Sequence, residues 1–228
     1  MNPFLTIKQP KPWGPGSFEM AQALVLAVGI KEGMRVLEVG GGSGQIASTL
    51  AKHWGVSVVT LEPWTDGIEI QAYAAQQQVE NQVLALKAQA QSMPFTDHTF
   101  DAVISIGSFE MIGDERPLAL AEMIRVAKPG ARIGIAEPMC MPVPIPDDIP
   151  DSEIKTSFQQ CFSTLTWNVE LFAEHGLKIV DSYYFDEAYK WWLEYRDQKK
   201  ISEIEQQFIT QDNGRWISLG LVVGEKSI

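Results

Sequence analysis

Short apolar runs alternate with segments of helical periodicity along this chain, a pattern typical of a parallel α/β sheet. Strands are predicted over residues 35–39, 56–61, 83–87, 102–106, 131–136, 178–185 and 216–224. Helices are predicted over residues 17–28, 44–53, 66–78, 117–127 and 152–175, and in an aromatic, charged insert over residues 187–209. Ser17 is the predicted N-cap of the first helix, and Lys128-Pro129-Gly130 is a stop signal for the fourth.

Two stretches interrupt this alternation. Residues 1–16 contain four prolines and two glycines and are predicted to be irregular. Residues 137–151 are rich in proline and aspartate, and we interpret them as a connector rather than a domain boundary. Because a chain of 228 residues fits one domain with a full core, we expect a single domain over residues 1–228.

The first predicted strand ends in an acidic residue and a glycine turn. Val36, Leu37 and Val39 suit a buried parallel strand, and Glu38 lies between them. The turn that follows has the spacing Gly-x-Gly-x-Gly, with glycine at positions 40, 42 and 44. Glycines here allow a ligand to approach the main chain, and the helix that follows presents unpaired N–H groups to the turn.

The spacing of the glycines in this turn distinguishes between two kinds of nucleotide ligand. A dinucleotide site has the pattern Gly-x-Gly-x-x-Gly and places pyrophosphate on the helix N-terminus, whereas here Gln45 occupies the position of the third glycine. A carboxylate at Glu38 would repel pyrophosphate but suits a ligand that carries an ammonium group. S-adenosylmethionine (SAM) carries an α-amino group and a sulfonium, and no phosphate. A tight turn without any ligand is the alternative interpretation.

At this motif the sequence resembles the SAM-dependent methyltransferases of the Rossmann-like class, whose first motif is Asp/Glu-x-Gly-x-Gly-x-Gly. Three later segments strengthen the resemblance: residues 89–95 are similar to the family segment Asp-Ala-x-x-Leu-Pro-Phe, residues 97–101 to Asp-x-x-Phe-Asp, and residues 125–131 to Arg-Val-Leu-Lys-Pro-Gly-Gly. The resemblance covers residues 34–137 well and residues 166–226 loosely. It implies a seven-stranded, mostly parallel sheet of order 3-2-1-4-5-7-6, with the last strand antiparallel and helices on both faces.

The resemblance also implies a division of the domain and a cofactor site. Residues 1–33 would form an N-terminal lid and helix, residues 34–137 the SAM-binding half, and residues 138–228 the substrate-side half with the insert. Expected contacts to SAM, whose product is S-adenosylhomocysteine, are Glu38, Gly40, Gly42, Gly44, Glu62, Trp64, Gln89, Ala90 and Ile106.

Each assignment has a chemical reason and, in two cases, a structural alternative. Glu62 follows the second strand and would accept hydrogen bonds from the ribose hydroxyls; the alternative is an exposed carboxylate at a strand end. Trp64 would stack on adenine, or else pack on the surface of the next helix. Gln89 stands where the family has Asp, and with Ala90 it would contact the adenine edge.

Glu110, after the fourth strand, is the acidic candidate for the substrate side and for catalysis. Met111 stands where cyclopropane fatty-acid synthases have a histidine, which argues against their reaction. Glu110 could instead cap a helix or lie at the rim of the pocket. The aromatic insert could line a pocket for an apolar or cationic substrate, although most of its rings are expected to pack in the core.

Composition narrows the possible partners. The net charge of −11 disfavours binding along a nucleic-acid backbone or to an anionic membrane. Cys140 and Cys161 form no metal pattern and the three histidines are scattered, so we predict no metal site. The N-terminus lacks an apolar signal core and no apolar run could span a bilayer, which favours a cytoplasmic protein.

These observations predict a SAM-dependent methyltransferase that acts on a small molecule, such as an amine or an apolar or aromatic metabolite. Three alternatives stay open. An NAD-dependent oxidoreductase would need the dinucleotide glycine spacing. A regulatory protein that binds SAM without catalysis would keep every motif, and a protein or RNA methyltransferase would need a docking surface for a large partner. The sequence gives no indication of the oligomeric state.

Overall fold

A computed structural model describes residues 2–7, 13–198 and 201–228. The strands are β1 (Arg35–Val39), β2 (Ser57–Leu61), β3 (Val83–Leu86), β4 (Phe100–Ile106), β5 (Ala127–Cys140), β6 (Leu177–Tyr184) and β7 (Ile217–Lys226). The helices are α1 (Ser17–Val28), α2 (Gln45–Trp54), α3 (Ile68–Gln76), α4 (Arg116–Val126), α5 (Glu153–Cys161), α6 (Leu165–Glu174), α7 (Ala188–Asp197) and α8 (Glu203–Asp212). Residues 1 and 8–12 of the predicted lid and residues 199–200 of the predicted insert lie outside the described residues.

All seven strands form one sheet of order β3-β2-β1-β4-β5-β7-β6. The first five strands pair in parallel, and β7 runs antiparallel to both β5 and β6. This confirms the fold that the family resemblance implies. Strand order reverses between β1 and β4, so the carboxyl ends of β1, β2 and β4 open onto one crevice, where α/β sheets bind ligands.

Buried side chains cover both faces of the sheet. Along β1, Val36 packs in the core layer that also includes α1, α2 and α3, while Leu37 and Val39 pack in the opposite layer with α4 and α6. Strands that are apolar on both faces are typical of parallel sheets between two helical layers. The two layers hold the ends of β1, β2 and β4 in fixed positions.

Two predictions about the N-terminal region were wrong. Residues 3–6 form a 3₁₀ turn rather than an irregular segment. Gly16, not Ser17, is the N-cap of α1; it adopts φ +62°, and a Cβ there would lie 2.8 Å from the Trp191 ring. Ser17 is the first helical residue, and its hydroxyl donates to the Gly14 carbonyl oxygen at 3.1 Å.

Strand β5 is longer at both ends than predicted. At its start Ala127 pairs with Phe100, the next pair is Arg132 with Ala102, and the residues between form a bulge. The stop signal at residues 128–130 therefore ends α4 but lies within β5. At its end residues 137–140 pair with β7, so the connector predicted over residues 137–151 begins only at residue 141.

Both predicted helical segments of the C-terminal half are divided. Residues 152–175 form α5 and α6, which separate at residues 162–164, where the Cys140 N–H donates to the Ser163 carbonyl oxygen at 3.1 Å. The insert over residues 187–209 forms α7 and α8, and α8 extends to Asp212. Within the described ranges no helix is both long and apolar enough to cross a membrane.

Candidate active site

A cavity of about 340 Å³ opens at the carboxyl ends of β1, β2 and β4. A smaller recess of about 100 Å³ adjoins it beside the glycine turn and the start of α1. The residues that line both spaces are Trp13, Gly40, Glu62, Gly107 and Ser108. The cavity is therefore one crevice that follows the strand ends, as the topology of the sheet requires.

Main-chain hydrogen bonds hold the glycine turn in place. The N–H groups of Gly40 and Gly41 both donate to the Leu61 carbonyl oxygen, at 2.9 and 3.0 Å, which ties the turn to the end of β2. Gly40 adopts φ +84°, and a Cβ at this position would collide with the Ser108 side chain. Gly42 adopts φ +53°, and no described atom lies within 4 Å of a Cβ built there. Gly42 is thus the point where a ligand can approach the main chain.

The third glycine of the motif, Gly44, has a different role from Gly40 and Gly42. Gly44 adopts φ +80° as the N-cap of α2, and a Cβ there would lie 2.7 Å from the Ile70 side chain. It is not among the described residues that line the cavity or the recess. Gly44 therefore shapes the start of α2 and its packing on α3, while Gly40 and Gly42 face the crevice.

Glu62 connects the second strand to the glycine turn. Its side chain accepts hydrogen bonds from the Gly42 N–H at 3.0 Å and from the Trp64 N–H at 3.1 Å. Only 6% of the residue is exposed, so it is not the exposed strand-end carboxylate of the alternative interpretation. Each carboxylate oxygen has two lone pairs, so both keep an acceptor site for a further donor from the cavity.

Glu38 lies beneath the turn rather than in the wall of the cavity. The residue is 1% exposed, and its Oε2 has no hydrogen-bond partner in the described part of the chain. Burial raises the pKa of Glu38 to about 8; the Thr60 side chain lowers this pKa and the charge of Glu62 raises it. A cation bound in the crevice would therefore favour the ionised form of a carboxyl group that burial otherwise keeps neutral.

The remaining predicted contacts line the far part of the crevice. Trp64, Gln89 and Ala90 line the larger cavity, and Ile106 lines the recess. Trp64 is 66% exposed, which leaves its ring free to stack on a bound group. Trp13, which the sequence did not single out as a site residue, is 62% exposed and lines both spaces. In the sequence, the only signal for Trp13 is a large aromatic residue beside Gly14.

The predicted catalytic residue Glu110 is separate from this crevice. It begins a 3₁₀ turn (Glu110–Glu115), is 4% exposed, and is not one of the described residues in the cavity wall. Burial raises the pKa of Glu110 to about 7, although the neighbouring Glu137 carboxyl group and the Arg116 cation lower it. Glu110 therefore lies neither at the pocket rim nor in solvent, but in a buried polar cluster.

The aromatic residues of the insert that the structure describes do not line the cavity. Trp191 and Trp192 of α7 are buried, and Trp192 packs against Phe158, Phe162 and Tyr195. No described aromatic residue of α7 lines the crevice. The described residues also contain no group of three or more His, Cys, Asp or Glu side chains arranged to hold a metal.

A family model described as a methyltransferase domain matches residues 37–135. This part of the chain is therefore similar to a methyltransferase domain. The matched region runs from β1 to β5 and contains the glycine turn, Glu62, Gln89 and Glu110. The match confirms the resemblance that the sequence motifs indicate.

Individual curated proteins also resemble this chain in sequence. Over 158 residues the chain is 30% identical to the sterol 24-C-methyltransferase ERG6A of Gibberella zeae. The matched segment covers 69% of this chain and 41% of that protein. The chain spans about two fifths of the length of several curated relatives that it matches.

Solved structures agree on the fold. Geranyl diphosphate C-methyltransferase from Streptomyces coelicolor A3(2), in complex with Mg²⁺, geranyl diphosphate and S-adenosyl-L-homocysteine, superposes with a TM-score of 0.75 at 16% identity and covers 91% of this chain and 78% of that one. The [4+2]-cyclase SpnF superposes with a TM-score of 0.78 at 17% identity and covers 92% and 81%. Because one of these proteins is a cyclase, the fold alone does not define the reaction.

Proposed function

We propose that the crevice binds S-adenosylmethionine and that the chain transfers its methyl group to a small molecule. One observation carries the proposal: Glu62 lines both the recess at the open main chain of Gly42 and the larger cavity walled by Trp64, Gln89 and Ala90, so these groups share one crevice. These are the groups that a nucleoside with an amino-acid tail needs. The unpartnered Oε2 of Glu38 beneath the turn adds a group that suits a cation.

Each residue then has a distinct role. Glu62 would accept hydrogen bonds from the ribose hydroxyls through its free lone pairs while it keeps the turn in place. Trp64 would stack on the adenine face, and the Gln89 side chain and the Ala90 main chain would contact its edge. Gly40 and Gly42 would admit the amino-acid end of the ligand, and Ile106 would cover the recess.

Methyl transfer requires the protein mainly to align the methyl donor with the acceptor. S-adenosylmethionine supplies an electrophilic methyl group on a sulfonium. The protein must hold a nucleophile in line with that methyl group and exclude water, and both effects follow from a closed crevice. Trp13 and Met111, which stand at the mouth of the crevice with more than half of their surface exposed, are placed to cover a bound ligand.

A small acceptor is the better-supported substrate class. The relative ERG6A is a sterol methyltransferase by name, and the acidic charge of this chain disfavours RNA. The described residues that line a larger surface groove of about 580 Å³ all belong to α7 and α8, so this groove does not extend the crevice toward a macromolecular partner. The free cysteines support a cytoplasmic location.

Isothermal titration calorimetry followed by label transfer tests the proposal. We expect S-adenosylmethionine and S-adenosylhomocysteine to bind, and NADH not to bind. Incubation with methyl-labelled S-adenosylmethionine and a small-metabolite extract should yield a labelled small molecule by mass spectrometry. Binding without transfer to any small molecule or protein would favour a regulatory protein, and absence of binding would overturn the proposal.

A further inference from the structure

Three oxygen atoms form a hydrogen-bonded triangle where the ends of β1 and β4 meet. The Val39 carbonyl oxygen accepts from the Ser105 hydroxyl at 2.9 Å and from the Ser108 hydroxyl at 2.7 Å. The two hydroxyl oxygens lie 2.8 Å apart. All three distances fall in the range of O–H···O hydrogen bonds, and the two hydroxyl groups supply two protons between them.

The proton count makes Ser108 a hydrogen-bond acceptor toward any ligand. With both protons inside the triangle, two of its three short contacts are hydrogen bonds. If the Ser108 hydroxyl turned outward, one proton would remain for all three contacts, so the proton stays inside. A hydroxyl oxygen has two lone pairs, and at most one of them accepts from Ser105, so at least one lone pair of Ser108 is open.

Ser108 presents this open lone pair to the crevice. The residue is half-buried and lines both the larger cavity and the recess beside the glycine turn. Its Oγ lies directly beside Gly40, which lines both spaces as well and has no side chain to cover the oxygen. Ser105 is 1% exposed and is not among the described residues that line either space. The two hydroxyl groups therefore share one anchor, but only Ser108 reaches a ligand.

The charge around Ser108 restricts the groups that it can bind. Of the described residues that line the two spaces, Glu62 alone is charged, and its carboxylate already accepts from the Gly42 and Trp64 N–H groups. A negative charge nearby disfavours an anionic partner and favours a cationic one. The partner of Ser108 must therefore donate a hydrogen bond and be neutral or positively charged.

The place of Ser108 in the crevice is also the place of the reacting methyl group. In the proposed function the nucleoside lies in the larger cavity and the amino-acid end lies in the recess. The sulfonium joins these two parts of S-adenosylmethionine, so it lies where the two spaces meet, beside the residues that line both. Ser108 is one of these residues, and its oxygen therefore faces the region that the methyl group and its nucleophile share.

Building on the proposed function, we infer that the methyl group is transferred to an amine nitrogen and that Ser108 Oγ accepts a hydrogen bond from the N–H of that amine. The lone pair of the neutral nitrogen forms the bond to the methyl carbon. The carbon–sulfur bond breaks, and its electron pair goes to sulfur. The positive charge thus passes from the sulfonium to the new ammonium group, whose remaining N–H stays on Ser108. The ammonium group later releases a proton to water.

An amine suits this oxygen better than a hydroxyl or a thiol does. A neutral amine is nucleophilic while it keeps its N–H, so it can donate to Ser108 and attack the methyl group at the same time. A hydroxyl becomes a good nucleophile only when a base takes its proton, and a serine hydroxyl is too weak a base to do so. A thiolate has no hydrogen to donate, and its negative charge is disfavoured beside Glu62.

The atom that receives the methyl group tests this inference. The chain is incubated with S-adenosylmethionine that carries a ¹³C-methyl group and with a small-metabolite extract. The carbon chemical shift of each labelled product then identifies the atom to which the methyl group is bound. We expect N-methyl products that are secondary or tertiary amines. Because a tertiary amine has no N–H left to donate to Ser108, we expect methylation to stop there, without a quaternary ammonium product.

Two serine variants separate the role of Ser108 in binding the amine from its role in the fold. With the identified amine as substrate, Ser108→Ala should lower kcat/KM about 3- to 10-fold and leave the affinity for S-adenosylmethionine unchanged. Ser105→Ala is the matched control, because it removes the other hydroxyl group that donates to the Val39 carbonyl oxygen and leaves the Ser108 oxygen in place. It should change neither quantity.

The outcomes separate this inference from the proposed function. Label on oxygen, sulfur or carbon, a quaternary ammonium product, or equal losses of kcat/KM in the two variants would overturn it. An equal loss of affinity for S-adenosylmethionine in Ser108→Ala would also overturn it, because Ser108 would then bind the methyl donor. Donor binding without any labelled small molecule would overturn it and leave the donor site intact. Failure of the donor to bind would contradict the proposed function itself. Thermal unfolding of each variant establishes that the comparisons involve folded protein.

Discussion

The Ser108 hydroxyl oxygen lies 2.7 Å from the Val39 carbonyl oxygen and fills the space beside Gly40. This contact fixes the end of β4 against the glycine turn. Gly40→Ala would force the new methyl group into the Ser108 side chain, at a residue that adopts φ +84°. We expect a loss of about 1–3 kcal/mol in the free energy of unfolding, measured in urea. Ser108→Gly in the same chain should restore part of that loss; no restoration would show that backbone strain dominates.

Gly42→Ala should separate stability from ligand binding. The new methyl group would meet no described atom within 4 Å, so only the positive φ opposes it, at a cost of about 1 kcal/mol. The methyl group would nevertheless occupy the recess where the main chain is open. We expect the affinity for S-adenosylmethionine to fall at least about tenfold by calorimetry. Wild-type affinity in this variant would place the ligand elsewhere in the crevice.

Glu62→Gln tests the link between β2 and the turn. The carboxylate accepts from two main-chain N–H groups, at Gly42 and Trp64, and an amide would present its NH₂ group to one of them. Because hydrogen bonds to a charged group contribute about 1.5–3 kcal/mol, the affinity for S-adenosylmethionine should fall about 10- to 100-fold.

Glu69→Gln provides the matched control for this change. Glu69 is an exposed carboxylate in the first turn of α3, close in the chain to Glu62 but not in the wall of the crevice. Its replacement should leave the affinity unchanged. An affinity within twofold of wild type in Glu62→Gln would show that Glu62 only supports the turn.

Local patterns predict the parts of the fold that local interactions determine. Strand β1 matches its predicted range, Arg35–Val39, because an apolar run bounded by a glycine turn has few alternatives. The start of β5 was missed because it depends on a bulge opposite β4, and the end of β5 depends on pairing with β7, which lies 77 or more residues further along the chain. Such long-range pairing leaves no local signal.

The distinction between local patterns and long-range packing also applies to the site. Glu38 lies in strand β1, one residue before its end, and the glycines and Glu62 follow the ends of β1 and β2, so the topology of a parallel sheet predicts that they meet. The proximity of Glu110 to Glu137 and the position of Trp13 over the crevice arise only from tertiary packing. Glu137 also lies in a stretch that the prolines made look like a connector, which hid its position in a buried strand.

Trp64 provides an optical test of adenine stacking. The ring is 66% exposed in the cavity wall, and stacking on a base contributes about 1–3 kcal/mol. Trp64→Ala should weaken S-adenosylmethionine binding about 5- to 100-fold and remove part of the change in tryptophan fluorescence on binding. Trp54→Phe is the control, since Trp54 stacks on Phe4 away from the cavity. Equal affinity in Trp64→Ala and Trp54→Phe would assign Trp64 to the surface.

Glu38 should make the stability of the free protein depend on pH. Burial raises its pKa in the folded state to about 8, from an ordinary value of 4.5, so between these values the folded state keeps a proton that the unfolded state has lost. The contribution is complete below the unfolded pKa and declines as pH rises toward 8, by up to about 1.4 kcal/mol per pH unit. Glu38→Gln cannot ionise, so the variant's free energy of unfolding in urea should fall less steeply between pH 5.5 and 7.5 than that of the wild type. Parallel pH profiles for the two proteins would mean that Glu38 is already ionised beneath the glycine turn.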